Sequence, residues 1–292
     1  MNMEPEKTSV GFIGLGVMGQ SMAGHILDAG YELHVYTRTK NKAETIISKG
    51  AVWENTVDEL SEKCDVIITI VGFPADVEEV YLGKNGILNC AKKGTIVIDM
   101  TTSSPGLAIK IDEKAKAKGI ESLDAPVSGG DIGAQNATLS IMVGGDKKTF
   151  DKAFPLFEVM GKNIVLQGKS GSGQHTKMAN QIAIAAGMVA VCESIAYAEK
   201  SGLDPETVLK SIGSGAAGSW SLNNLGPRMI ARNFEPGFYI KHFIKDMKIA
   251  ATSSNRMGLE TPGLDLALSL YKKMAEKGFE NDGTQGLFRL FK

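Results

Sequence analysis

Short apolar runs alternate with longer amphipathic stretches through the first half of the chain, between Thr8 and about Gly168. The runs are rich in Val and Ile, which is typical of buried strands. They read SVGFIGLG, YELHVYT, DVIITIVG, TIVIDMTT, ESLDAPVS, LSIMVGG and NIVLQG. Strands that alternate with helices predict a mostly parallel sheet with helices on both faces. We therefore predict a doubly wound α/β domain over residues 1–169.

Helix boundary signals support this division of the first domain. Ser104 and Pro105 provide an N-cap and a first helical position, and Gly119 is suited to the end of the same helix. Asp146 is a suitable N-cap for a later helix. These signals place helices between the predicted strands, as a doubly wound domain requires.

The pattern changes after the glycine-rich segment GKSGSG, because no further strand pattern follows it. Residues 174–200 contain no proline and would form a helix about 40 Å long at 1.5 Å per residue. This segment is apolar or small around most of its circumference, so we expect it to be buried and to join the two halves. Residues 170–292 are predicted to form an all-α domain. Further helix ends and starts are predicted at Gly202, Asp204-Pro205, Gly258 and Thr261-Pro262.

The composition is that of an ordinary globular protein, with 43% hydrophobic and 22% charged residues in 292. A formal net charge of −1 provides no long-range field that would attract nucleic acid or an anionic membrane. The N-terminus has no apolar signal core, and no charge-free apolar run reaches about 20 residues, so we expect neither export nor a membrane span.

Cysteine and histidine positions bear on redox compartment and metal binding. The three cysteines contain no Cys-x-x-Cys pair, so neither a disulfide framework nor a zinc site is indicated, and a cytoplasmic location fits best. The four histidines show no metal-ligand spacing, and we predict no metal. The residues concerned are Cys64, Cys90, Cys192, His25, His34, His175 and His242.

The segment GFIGLGVMG ends an apolar strand and opens a helix, which is the setting in which G-x-G-x-x-G binds a dinucleotide. Gly14 permits the tight turn, Gly16 allows the backbone to approach a pyrophosphate, and Gly19 allows close packing of helix on strand. The first domain is therefore predicted to be of Rossmann type. The coenzyme-binding residues predicted here are Gly14, Leu15, Gly16, Val17, Met18 and Gly19.

The end of the second predicted strand bears on the choice of coenzyme. An enzyme that uses NAD usually carries Asp or Glu there to bind the ribose 2′-hydroxyl, whereas this chain reads Thr37-Arg38-Thr39. A guanidinium can bind a 2′-phosphate bidentately, and the hydroxyls of Thr37 and Thr39 can add donors. We therefore predict NADP(H) in preference to NAD(H). The alternative is that Arg38 is only a solvated loop charge.

Two motifs stand where the halves of the sequence join. One is DAPVSGG, in which Ser128 precedes Gly129 and Gly130, and the other is G-x-x-G-x-G-x-x-x-K-x-x-N, which ends in Lys177 and Asn180. Lys177 and Asn180 are three residues apart, so they share one face of the predicted helix. A lysine near the positive start of an apolar helix is a suitable proton-transfer group. The alternative is that Lys177 extends from the helix to solvent.

Together the glycine loop and these motifs resemble the β-hydroxyacid dehydrogenase family over nearly the whole chain. That family includes 3-hydroxyisobutyrate dehydrogenases and tartronate semialdehyde or glyoxylate reductases. The resemblance implies that Ser128, Gly129 and Gly130 contact the substrate carboxylate. It implies that Lys177 is the catalytic acid and base and that Asn180 orients the substrate.

The resemblance also implies further contacts with the coenzyme. Thr102 in the segment DMTT would lie beside the nicotinamide ribose, and Lys245 in the segment KDM would lie against the coenzyme. The segment from Val71 to Pro74 would line the coenzyme cleft, through Val71, Gly72 and Phe73. From the residues alone, Lys245 and Asp246 could equally be an exposed helical pair.

The expected activity is the interconversion of a short β-hydroxyacid and its semialdehyde, with a small carboxylate substrate. Substrates of the 3-hydroxyisobutyrate, tartronate semialdehyde and succinic semialdehyde or glyoxylate classes are all compatible with the sequence. The apolar 174–200 helix and the helical second half suggest surface buried between subunits, so we expect a homodimer or homotetramer.

Three other kinds of protein share part of this sequence pattern. A 6-phosphogluconate dehydrogenase would be much longer and would have a histidine shortly after the lysine, where this chain reads KMAN. Imine reductases generally replace the lysine. A non-enzymatic structural or regulatory protein that binds NADP would retain the fold without turnover.

Trp220 could face the substrate, but a buried structural tryptophan is the expected role.

Overall fold

Nine strands in the first half of the chain form one sheet in the computed structural model, which describes residues 3–291. All seven predicted strands are present. Two strands of two residues each depart from the prediction. Val52–Trp53 is too short for a recognisable apolar period, and Val127–Ser128 is the end of the predicted run ESLDAPVS, which the structure divides into two strands. The strands are β1 (Ser9–Ile13), β2 (Glu32–Tyr36), β3 (Val52–Trp53), β4 (Val66–Thr69), β5 (Ile96–Asp99), β6 (Glu121–Asp124), β7 (Val127–Ser128), β8 (Leu139–Gly145) and β9 (Gly161–Gly168).

The sheet is mostly parallel, as predicted. The strand order is β3-β2-β1-β4-β5-β6-β8-β7, with β9 paired to β8. The pairs from β3 to β6 are parallel, β8 is antiparallel to β6 and to β7, and β9 is parallel to β8. The chain leaves β1 for β2 on one side and later returns to β4 on the other. A crevice at the carboxyl ends of the strands is expected at such a switch point, and ligands bind there in open α/β sheets.

Eight α-helices connect these strands, and capping residues begin several of them. Ser104 Oγ accepts a hydrogen bond from the Leu107 N–H (3.1 Å), and Asp146 Oδ1 accepts one from the Lys148 N–H (2.9 Å). Both caps were predicted from the sequence. The helices are α1 (Val17–Asp28), α2 (Glu44–Ser48), α3 (Val57–Lys63), α4 (Pro74–Leu82), α5 (Ile87–Cys90), α6 (Pro105–Ala117), α7 (Gly130–Gln135) and α8 (Lys147–Glu158).

The second half of the chain is helical, as predicted. Five helices follow β9, and the structure ends in a 3₁₀ helix over Thr284–Phe291. Their core includes the fully buried side chains of Met188, Phe243, Tyr271 and Phe288. Two compact units are present, one ending at Lys177 and the other beginning at Met178. The helices are α9 (Ser172–Lys200), α10 (Pro205–Ile212), α11 (Trp220–Ile230), α12 (Ile240–Arg256) and α13 (Pro262–Glu276).

By length and composition, α9 is long and apolar enough to cross a bilayer. In its most apolar window of 18 residues, 44% of the residues are buried within the protein. The core helix of a soluble protein meets the same criterion.

The expectation of a buried Trp220 is wrong. Trp220 is the first residue of α11 and is 58% exposed. The buried face of this helix carries Leu222, Leu225 and Met229, at a spacing of three and four residues. Trp220 lies two residues before Leu222, which places it on the opposite side of the helix.

Candidate functional site

The loop between β1 and α1 has the tight turn that its glycines predict. Gly14 has a φ of +105°, and its N–H donates to the Tyr36 carbonyl oxygen at 2.9 Å. A Cβ on Gly14 would overlap the carbonyl oxygen of Ile70, and one on Gly19 would overlap that of Gly14. Both positions therefore require glycine for reasons internal to the fold.

Gly16 differs from Gly14 and Gly19, because packing within the protein does not require glycine at this position. A Cβ built on Gly16 would have no heavy atom within 4 Å. Gly16 is the N-cap residue of α1, makes no side-chain cap, and is followed by a first turn without acidic residues. A helix N-terminus with free N–H groups and an open approach fits a phosphate. The loop thus fits the pyrophosphate of a dinucleotide. Within it, the Leu15 side chain is buried and the Val17 side chain is exposed.

The ends of β4 and β5 are joined by a buried hydrogen-bond network. Asp99 Oδ1 accepts from Thr69 Oγ1 at 2.9 Å and from the Thr101 N–H at 3.0 Å. Thr101 Oγ1 in turn accepts from the Val71 N–H at 2.9 Å. This network fixes the segment that begins at Val71 and contains Gly72 and Phe73, and also the segment that carries Thr102. Since β1, β4 and β5 are parallel neighbours, both segments lie at the sheet edge that carries the glycine loop.

Arg38 follows β2 and is paired with an acidic residue that sequence reasoning missed. Arg38 Nη1 lies 3.0 Å from Asp76 Oδ1, while Asp76 Oδ2 accepts from the Phe73 N–H at 3.0 Å. Arg38 follows β2 and Asp76 lies in the first turn of α4, which follows β4, and these two strands lie on either side of β1. The pair therefore joins the loop after β2 to the start of α4. The Arg38 side chain remains 77% exposed, so it is accessible to an anion.

The segment Ser128–Gly130 ends β7 and begins α7. Ser128 is paired with Ser140 of β8, which fixes its backbone. Gly129 and Gly130 have φ values of +132° and +65°, a region that favours glycine. A Cβ on Gly130 would have no heavy atom within 4 Å, so this backbone is open to close approach by a ligand.

The start of α9 is hydrogen bonded to the ends of β5 and β6. Asp124 Oδ1 accepts from the Gly171 N–H, and Asp124 Oδ2 accepts from the Gln174 N–H, both at 2.8 Å. The Gln174 side chain accepts from the Ser103 N–H at 2.9 Å and donates to the Thr101 carbonyl oxygen at 2.7 Å. Sequence reasoning gave no role to Asp124 or Gln174. Their presence inside two glycine-rich motifs was the only signal that could have drawn attention to them.

Lys177 lies early in α9 and is buried, with 6% relative exposure. A lysine that merely extends into solvent from a helix would not show this burial, so that alternative is wrong. Asn180 follows three residues later on the same helix, and its Nδ2 donates to Gln181 Oε1 at 2.8 Å. The roles of Lys177 and Asn180 remain predictions from the resemblance.

Lys245 lies on α12 in the second unit, within a buried polar chain. Gln181 Nε2 donates to Asp246 Oδ2 at 2.6 Å, and Lys245 Nζ lies 3.1 Å from Asp246 Oδ1. The side chains of Lys245 and Asp246 are only 12% and 1% exposed, so the alternative of an exposed helical pair is wrong. Asn180, Gln181 and Asp246 thus form a connected set within the second unit, a link that spacing alone could not reveal.

Among residues 3–291, no group of three or more His, Cys, Asp or Glu side chains is placed to hold a metal ion.

Two protein families match successive parts of the chain. Residues 9–168 match the NAD binding domain of 6-phosphogluconate dehydrogenase. Residues 171–291 match the family described as NAD-binding of NADP-dependent 3-hydroxyisobutyrate dehydrogenase. The first match contains the sheet and the glycine loop, and the second contains the helical part.

Curated relatives match over nearly their full lengths. An uncharacterized oxidoreductase of Bacillus subtilis is 65% identical over 98% of this chain and 99% of that protein. The 2-hydroxy-3-oxopropionate reductase of Escherichia coli is 42% identical over 92% of both chains. The NAD-dependent L-serine dehydrogenase of Pseudomonas aeruginosa is 33% identical over 97% of both.

Solved structures with the same fold match nearly the whole chain. The 3-hydroxyisobutyrate dehydrogenase of Mycobacterium tuberculosis with L-serine has a TM-score of 0.89, with 28% identity over 98% of this chain and 99% of that one. A protein called Psf3, in complex with NADP+ and 2-OPP, has a TM-score of 0.89 and 25% identity, and the match covers 97% and 100% of the two chains.

The open side of Gly16 leads to a prediction about coenzyme binding. Gly16→Ala should leave the melting temperature unchanged, because the added methyl meets nothing in the protein. It should raise the dissociation constant of the coenzyme at least about tenfold, because it obstructs hydrogen bonds from N–H groups to a charged phosphate. Calorimetric titration measures the dissociation constants of NADPH and NADH, and thermal unfolding measures the melting temperature.

Gly24→Ala in the middle of α1 is the matched control, since a Cβ there also has no heavy atom within 4 Å. It should stabilise the helix slightly and leave coenzyme binding unchanged. Equal affinities in the Gly16 and Gly24 variants would contradict the assignment of this loop.

Proposed function

The chain belongs to the β-hydroxyacid dehydrogenase family, and on that premise we propose that it is an NADP(H)-dependent enzyme that interconverts a short β-hydroxyacid and its semialdehyde. The observation that carries this proposal is the buried Lys177 on α9. The first turn of that helix is hydrogen bonded to the ends of β5 and β6, in the domain that carries the dinucleotide loop.

The names of the relatives support the proposed substrate class. They mention 3-hydroxyisobutyrate, 2-hydroxy-3-oxopropionate and L-serine. All three compounds have a carboxylate at C1 and an oxygen function at C3, and they differ in the substituent at C2. We therefore propose a substrate with C1 carboxylate and C3 oxygen. A methylene difference in a pocket changes selectivity by only about 1–3 kcal/mol, so the C2 substituent requires direct assay.

The chemistry divides between the coenzyme and the chain. When bound, the nicotinamide coenzyme supplies or accepts a hydride at C3 of the substrate. In reduction, the Lys177 ammonium donates a proton to the carbonyl oxygen, and in oxidation the neutral amine accepts the hydroxyl proton. Ser128 and the open backbone of Gly129 and Gly130 bind the C1 carboxylate, and the Asn180 amide orients the substrate.

The preference for NADP(H) rests on the end of β2. This segment provides a cation and two hydroxyls, from Thr37, Arg38 and Thr39. It lacks the carboxylate with which NAD enzymes usually bind the ribose 2′-hydroxyl. Asp76 acts in the opposite direction, because its carboxylate pairs with Arg38 and would repel a 2′-phosphate. We therefore propose a preference set by Arg38 and moderated by Asp76.

A coenzyme comparison tests this balance. Arg38→Ala should reduce kcat/KM for NADPH by roughly tenfold to a hundredfold and leave the value for NADH much less affected, because a charge-assisted hydrogen bond to phosphate is lost. Asp76→Asn should raise the ratio of kcat/KM for NADPH to kcat/KM for NADH, because it removes a negative charge that would repel the 2′-phosphate. Glu78→Gln is the control, since Glu78 lies on the same helix but pairs with Lys110. A wild-type preference for NADH would contradict the NADP(H) assignment.

A substrate panel tests the activity itself. We expect NADPH oxidation, followed by the loss of NADPH absorbance, with tartronate semialdehyde or methylmalonate semialdehyde. Glyoxylate and succinic semialdehyde, whose carbonyl groups are at C2 and C4, are the comparison compounds, and turnover of these two alone would contradict the C3 assignment. In the reverse direction we expect NADP+ reduction with 3-hydroxyisobutyrate or L-serine. NADPH binding without turnover of any compound would instead support a non-enzymatic protein of this fold.

Two substitutions at Lys177 test proton transfer. Lys177→Ala should lower kcat by about 10²- to 10⁴-fold, the usual contribution of a general acid or base. Lys177→Arg keeps the charge but cannot release a proton near neutral pH, so it should be equally impaired in oxidation. Coenzyme affinity should persist in both variants. Lys200→Ala, at the exposed end of the same helix, is the control with normal turnover. Normal turnover in Lys177→Ala would refute the role.

A further inference from the structure

The first turn of α9 is held by a buried carboxylate that no step of the proposed reaction uses. Asp124 is the last residue of β6 and is 3% exposed. Its two oxygens accept hydrogen bonds from two different N–H groups at the start of α9, those of Gly171 and Gln174. Each oxygen therefore has its own backbone donor, and a carboxylate is the one side-chain group of this size that can accept at both positions.

Gln174 adds a second connection, to the neighbouring strand. Its side chain is fully buried, accepts from the Ser103 N–H and donates to the Thr101 carbonyl oxygen. Its backbone N–H is one of the two donors to Asp124. The first turn of α9 is thus fixed to the segment after β5 and to the end of β6 by four hydrogen bonds that involve Asp124, Gly171 and Gln174.

The start of α9 packs so closely against β6 and β8 that only glycine fits at two of the contact positions. A Cβ on Gly144 of β8 would come within 2.5 Å of Asp124 Oδ1 and 2.6 Å of the Gly173 nitrogen. A Cβ on Gly173 would overlap the carbonyl oxygens of Asp124 and Met142. The helix start therefore lies directly against β6 and β8, and its position depends on the hydrogen bonds to the carboxylate.

The negative charge of Asp124 is complementary to the N-terminus of α9. The start of an α-helix carries partial positive charge, which favours a carboxylate there. Burial raises the pKa of Asp124 to about 6, and the hydrogen bonds from Gly171 and Gln174 act in the opposite direction. Near neutral pH the group is ionised and accepts from both N–H donors. Loss of the charge would place a proton on one of the two oxygens and weaken the hydrogen bond that this oxygen accepts from the first turn.

We propose that Asp124 is a positioning residue for Lys177, holding the first turn of α9 against the strand ends so that the lysine stands in one place. This inference rests on the proposed function of Lys177 in proton transfer. Lys177 lies three residues after Gln174, so it is carried by the turn that Gln174 and Asp124 fix. An error of about 1 Å in the position of a catalytic group can reduce turnover a hundredfold.

Asp112 offers a matched control for a purely structural role. It is also a buried carboxylate of the first unit, at 8% exposure. It accepts from Ser122 Oγ at 2.8 Å and from Lys116 Nζ at 2.6 Å, and it lies on α6. Its loss removes a comparable set of hydrogen bonds without touching the start of α9.

The test compares Asp124→Asn with Asp112→Asn. The amide of Asn has one acceptor and would place an NH₂ group against one of the two N–H donors. We expect kcat to fall by roughly a hundredfold in Asp124→Asn, with the dissociation constant of NADPH unchanged, because proton-transfer geometry is lost and the glycine loop is not. Amide hydrogen exchange at Gly171 and Gln174, measured in the protein without coenzyme, should accelerate. Asp112→Asn should keep both the turnover and the slow exchange.

Each other outcome has a defined meaning. If exchange at Gly171 and Gln174 accelerates but kcat stays within about threefold of wild type, the positioning role is overturned. If exchange is unchanged, the carboxylate does not hold the turn, and the proposal is equally overturned. Because exchange requires no substrate, it separates this failure from a failure of the proposed activity.

A second variant covers the case in which Asp124→Asn does not fold. Gln174→Met removes the side-chain bonds to Ser103 and Thr101 and keeps the backbone N–H that donates to Asp124. It should lower kcat by a smaller factor, again without weakening coenzyme binding. Faster amide exchange at Gln174 with wild-type turnover in this variant would show that loosening the turn does not disturb Lys177, and would overturn the proposal.

Discussion

The parallel pairing of β1 with β2 on one side and β4 on the other is the constraint on which the rest depends. It places the carboxyl ends of these strands at one edge of the sheet and reverses the strand order at β1. The glycine loop, Arg38 and the segment at Val71 are far apart in sequence and meet only because of this pairing. In the proposed dinucleotide site, the glycine loop would contribute open N–H groups, Arg38 a cation, and the segment at Val71 one wall.

Buried polar groups provide the second level of order. Asp99 organises the ends of β4 and β5, and Asp124 organises the start of α9. In a low-dielectric interior such hydrogen bonds are strong when complete, and a missing partner is costly. These networks therefore favour a single arrangement of the strand ends. A rigid arrangement suits proton transfer, whose rate depends steeply on the position of the donor.

The sequence predicted what depends on local patterns. Seven strands, the caps at Ser104 and Asp146, and the turn at Gly14 follow from apolar period and backbone preference. Pairings between distant residues were not predictable, because nothing in the spacing relates Arg38 to Asp76. The same limit applies to the bonds that Gln174 makes with the segment after β5. Trp220 was misplaced because base rates for tryptophan ignore which helix face is apolar. The family resemblance supplied the role of Lys177, whereas periodicity supplied only its position on a helix.

The most direct measurement is a crystal structure of the protein with NADP+ and 3-hydroxyisobutyrate or L-serine. The account predicts that Lys177 Nζ lies within about 3.2 Å of the C3 hydroxyl oxygen, the reach of a general base. It also predicts the pyrophosphate at the N-terminus of α1, above Gly16. A complex in which Lys177 points into bulk solvent, away from the substrate and the nicotinamide ring, would contradict the account.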